Sequence, residues 1–95
     1  MAEIYDVSIK VLSQEGTCGA GHKVGDEWII KDDKTPAGIC GGAFCAIFPE
    51  TRVLSFGGTF PWAKDDLDVH RVACPDYKNP VVFELRRLGG KDFRV

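Results

Sequence analysis

The 95 residues predict a small α+β domain, a mainly antiparallel sheet in β-β-α-β-β order covered by one main helix. Three observations carry this prediction. Apolar residues alternate with polar ones near both ends of the chain, they recur at helical spacing in its middle, and glycine- or proline-bearing loops separate the segments. With 44% apolar and 27% charged residues the composition is that of an ordinary globular chain, of a length that suits one domain with little stability to spare.

The first strand is expected over Tyr5–Val11, where the alternation of apolar and polar residues has no slip. Gly16-Thr17-Cys18-Gly19-Ala20-Gly21-His22 then breaks it, because three closely spaced glycines favour an irregular loop over a ladder. Val24-Gly25-Asp26 reads as a turn into a second strand, Glu27–Lys31, and Asp32–Gly38 as a polar connection. Cys40, Ala43, Phe44, Ile47 and Phe48 recur at i, i+3, i+4, i+7 and i+8, one stripe of a helix that Pro49 is expected to kink or end. Val53–Phe56 fits a further helical turn or a short extended piece. Gly57–Trp62 reads as a loop, followed by the acidic run Asp65-Asp66-Leu67-Asp68. His70–Cys74 and Val81–Arg86 complete the sheet, with Val81, Phe83 and Leu85 inward. Residues 1–88 are thus expected as the domain and 89–95 as a flexible tail.

Charge excludes one class of partner. Twelve Lys and Arg against fourteen Asp and Glu leave a net charge of −2, and Arg86-Arg87 is an isolated basic pair, so nucleic-acid binding is not expected. No apolar run approaches the ~20 residues that span a bilayer, so no membrane partner is expected. Met1 runs directly into a polar, strand-like segment, which predicts no signal peptide and a cytoplasmic location.

Four cysteines are the unusual feature, since in a reducing compartment they suggest metal, redox chemistry or reactive thiols before disulfides. Cys18 and His22, four apart on a glycine-rich loop, make a workable chelating pair. With Cys40 and Cys74, both at element ends, they form a Cys3His set suited to zinc or iron. An open coordination position would make such a centre catalytic and a closed one structural, so the sequence leaves enzyme activity undecided. Cys40 also carries a second reading as a redox or nucleophilic thiol at a helix N-terminus, with His22 as its base. Cys45 lies about 140° around the helix from Cys40, and it is expected as a small buried hydrophobe or a group behind the ligands. Inert buried thiols are the plain alternative.

Elsewhere, Phe56, Phe60 and Trp62 surround Gly57-Gly58 and Pro61 on a loop that either lines a small-molecule pocket or completes the core from its rim. Asp26 is expected as a turn residue, with a pocket role as the alternative. Asp65, Asp66, Asp68 and His70 lack the spacing of a calcium loop and read as a solvated acidic turn.

Four ordered motifs complete the picture: Cys18-x-x-Gly21-His22-Lys23-Val24-Gly25-Asp26-Glu27, Pro36-x-Gly38-Ile39-Cys40-x-x-Ala43-Phe44, Phe56-Gly57-Gly58-x-Phe60-Pro61-Trp62, and Ala73-Cys74-Pro75-Asp76-x-x-Asn79-Pro80-Val81-Val82-Phe83-Glu84-Leu85. In these the chain resembles a family of small, functionally uncharacterised prokaryotic proteins of about this length, from about Tyr5 to Arg87. The resemblance includes Cys18, His22, Cys40 and Cys74. It departs at Gly41, where a proline is common, and at Cys45, where a histidine is common, so the resemblance makes Cys45 an alternate ligand. The function expected first is therefore a metal-binding protein with a thiolate–imidazole site. The second is a module that binds a small molecule or a protein partner through the Phe56–Trp62 loop, and the third a thiol enzyme using Cys40.

Overall fold

The computed structural model describes residues 3–92 as β1 (Glu3–Gln14), β2 (Glu27–Ile30), α1 (Gly41–Ser55), β3 (Val69–Ala73) and β4 (Val81–Asp92). All strand pairs are antiparallel in the order β2-β1-β4-β3, and α1 covers one face of the sheet, the α+β arrangement expected. Among the described residues no helix is long and apolar enough to cross a membrane.

Alternation builds the covered face. Val7, Ile9 and Val11 of β1 and Val81, Phe83 and Leu85 of β4 are buried, and together with Ile30 of β2 they meet Ala43, Ile47 and Leu54 of α1 in one core. The opposite face is closed by charge rather than by a second layer. Glu27, Lys10, Glu84 and Arg71 stand in one row across the four strands, each beside a residue of opposite sign.

Three expectations are corrected. β1 is longer than Tyr5–Val11, running from Glu3 to Gln14; within it the alternation of Tyr5, Val7, Ile9 and Val11 holds, with the Arg87 guanidinium 5.4 Å over the half-buried Tyr5 ring. The shift in pairing beside Tyr5 comes from β4, where the three steps from Gly90 to Arg87 match two from Tyr5 to Val7. The last strand does not end at Arg86. It runs to Asp92, pairing Gly90 with Tyr5 and Asp92 with Glu3, so residues 89–92 belong to the sheet and not to a tail. The rest of the expected tail, 93–95, lies outside the described residues.

The helix is the third correction. Pro49 does not end α1, which continues to Ser55, so Val53–Ser55 takes the first of its two expected forms, a further helical turn. Its buried residues are Ala43, Ile47, Thr51, Leu54 and Ser55, so the covered face extends a full turn past the proline. Pro49 itself is exposed, and the hydroxyl of Thr51 donates to the Phe48 carbonyl at 2.7 Å. Burial of Thr51 and Leu54 outweighs the backbone bond that proline forfeits. Phe44 and Phe48 lie half-buried at the margin of the face, stacked at 4.9 Å between centroids.

Candidate functional site

The four residues expected to bind metal lie on the rim of the core. Their loops are pinned by local hydrogen bonds. Asp76 accepts from the Asn79 backbone N–H, from Asn79 Nδ2 and from the Lys78 backbone N–H, which hold its carboxyl below the usual carboxylate range. Asn79 Oδ1 in turn accepts the Thr17 N–H at 3.0 Å and fixes the start of the Cys18 loop. Gly16 turns into that loop at φ +67°, and a Cβ on it would collide with the same Asn79 oxygen.

His22 is buried, edge-on to Trp28 at 4.8 Å and near Phe83 at 6.5 Å. Its Nε2 accepts the backbone N–H of Cys40 at 3.0 Å, so that nitrogen's lone pair is engaged. Cys40 is the N-cap of α1 and makes no side-chain capping bond. Cys74 Sγ accepts the Val81 N–H at 3.3 Å, at the entrance to β4. Cys18, Cys40 and Cys74 are half-buried free thiols packed against the core. Among the described residues, however, no three His, Cys, Asp or Glu side chains form a group that could hold a metal ion. Cys45 contradicts its expectation: it is exposed, because the turn that buries Ala43 and Ile47 directs it away from the sheet. Asp26 closes the expected turn, accepting the Lys23 N–H at 2.9 Å.

A second cluster gathers at β3, the edge strand of the sheet. Strand alternation puts His70 on the covered face opposite Leu85, where it is buried. Phe60 stacks on its ring at 3.8 Å between centroids and 14° between planes, and Trp62 follows at 5.9 Å from His70 and 5.3 Å from Phe60. From the helix side, Glu50 Oε2 meets His70 Nε2 at 3.1 Å. An ionised carboxylate can only accept, so Nε2 carries the proton and donates it. Trp62, Lys64, Asp65, Val69, His70 and Arg71 line an open groove of about 480 Å³ here. Phe56, the third aromatic of the expected pocket, points elsewhere, with the Arg52 guanidinium 4.9 Å over its ring.

Arg87 holds the loops around the groove. Its largely buried guanidinium donates to the carbonyls of Leu54 at 3.2 Å, Gly58 at 2.8 Å and Leu67 at 3.1 Å, and to Asp68 Oδ1 at 2.9 Å. One side chain therefore ties the helix C-terminus, the glycine loop and the acidic turn together. The acidic turn is solvated as expected; Asp66 and Asp68 pair with Arg86 and Arg87 and do not join His70 in a ligand cluster.

Sequence reasoning missed Glu50 and Arg87. Glu50 lies 20 residues before His70 and gives no local sign of pairing with it. Arg87 reads as half of an exposed basic pair, although its place in an alternating strand two residues after Leu85 was a usable signal. Neither a family model nor a curated protein nor a solved structure matches this chain, so the reading of its sites rests on their geometry.

Proposed function

We propose that the protein is a small-molecule-binding module whose ligand lies in the groove beside β3. The observation that carries this reading is a buried imidazole, oriented by Glu50 and stacked on Phe60, that lines an open groove beside an exposed Trp62. A rigid aromatic wall with a few fixed polar groups is the usual make-up of a ligand site. The expected experiment is an NMR screen of one- and two-ring aromatic compounds against the whole chain. Saturable shifts at Trp62–Asp66 and His70, lost in Trp62→Ala, support the reading. A screen in which no compound moves these resonances overturns it.

A zinc or iron site made by Cys18, His22, Cys40 and Cys74, with Cys45 as alternate, is the second reading. What supports it is that three thiols and a buried imidazole pack against one core, with His22 in contact with the Cys40 backbone. Ligation through His22 Nε2 requires that the Cys40 N–H give up its acceptor. Elemental analysis of untagged protein decides the matter: less than about one-tenth equivalent of any transition metal sinks this reading.

A further inference from the structure

We propose that the groove selects a flat aromatic ligand bearing an N–H or O–H on its rim, and that this group donates a hydrogen bond to Nδ1 of His70. The inference rests on the binding reading above and adds the ligand's chemical class.

Two neighbours of His70 divide its ring between them. Glu50 Oε2, 3.1 Å from Nε2, accepts a hydrogen bond from the Nε2–H, which leaves Nδ1 as the lone-pair nitrogen of that tautomer. Phe60, nearly parallel at 3.8 Å, covers one ring face and prevents the imidazole from turning over to exchange its nitrogens. Nδ1 has no hydrogen-bond partner among the described residues. Yet the only buried side-chain nitrogen or oxygen left without one among them is Ser55 Oγ. Nδ1 therefore reaches solvent, and His70 is one of the residues that line the groove. The residue itself is only 8% exposed, so its one open polar atom is an acceptor set in an aromatic wall.

A ligand that stacks on Trp62 and covers Nδ1 removes water from that acceptor. If it brings a donor, the hydrogen bond is replaced; if it does not, a polar atom is left buried and unsatisfied. The resulting preference is for indole- or phenol-like rings over rings of the same shape that carry no donor. Lys64, Asp65 and Arg71 along the rim provide contacts of both signs and do not alter that distinction.

Indole and benzofuran test this directly, since they share shape and stacking surface and differ in the N–H. The expected result is that indole binds at least about tenfold more tightly than benzofuran, read from the shifts of Trp62 and His70. In Glu50→Gln the carboxamide can donate to or accept from Nε2, so the ratio falls toward one while benzofuran binding persists. A long-range ¹H–¹⁵N spectrum of the unmodified protein provides a check independent of any variant, and it should show the proton on Nε2 of His70. Equal affinities for the two rings, or a proton found on Nδ1, overturn the inference while leaving the groove a binding site. If neither ring moves any groove resonance, the binding reading fails and this inference with it.

Discussion

His22 and His70 are both buried, and they differ in which ring nitrogen the fold has engaged. His22 accepts a backbone N–H at Nε2, whereas His70 donates from Nε2 to a carboxylate, so the two rings carry their protons on opposite nitrogens. No sequence pattern distinguishes these cases, because each is decided by a residue some twenty positions away in the chain. Cysteines divide in the same way. Cys45 is exposed while Cys18, Cys40 and Cys74 are half-buried, so iodoacetamide at neutral pH should modify Cys45 first, by roughly fivefold or more, as read by mass spectrometry. A faster Cys40 would instead restore the thiol-enzyme reading. Asp76 gives a pH dependence with a definite sign. Its carboxyl is held low by hydrogen bonds to its ionised form, so the stabilisation is present above the unfolded value and is lost as pH falls through the lower folded one. Amide shifts at Lys78, Asn79 and Thr17 should therefore move together below about pH 4, and Asp76→Asn should abolish that movement.

Elements place these residues. The strand alternation of Val81–Leu85, the loop from Gly16 to His22 and the turn at Gly25 were all legible, since each depends on side-chain period or glycine freedom within a few residues. The course of α1 past Pro49 was legible only as one of two alternatives for Val53–Phe56, because a local penalty is outweighed by burial that only the sheet provides. That continuation has a functional consequence: it places Glu50 on the helix, within reach of His70 on β3. Arg87 acts at this scale too, since it joins the end of α1 to both loops of the groove. Arg87→Gln should lower unfolding stability in urea by about 2–4 kcal/mol, and it should speed amide exchange at Gly58 and Leu67. A change confined to a few tenths of a kcal/mol would show that the guanidinium is only a surface tether.

At the scale of the molecule, the described residues form four strands and one helix around a single core, and Phe83 lies fully buried within it, facing His22 and Trp28. Phe83→Ala should cost about 3–5 kcal/mol by urea unfolding. With so small a core, most of the protein's stability would be at stake, and a loss below about 1 kcal/mol would mean that the site collapses around the gap. What the sequence determined by itself was the order of elements, the inward faces of the two long strands and the absence of a nucleic-acid-like charge. Those depend on composition and on periods of two and 3.6 residues. What only the tertiary structure decided was the grouping of distant side chains. Cys18, Cys40 and Cys74 reached the core rim without forming a metal-binding group, while His70, Glu50, Phe60 and Trp62 met along an edge strand. The physical reason is that periodicity fixes the direction of a side chain within its own element, whereas its neighbours depend on how sheet and helix pack around one buried core.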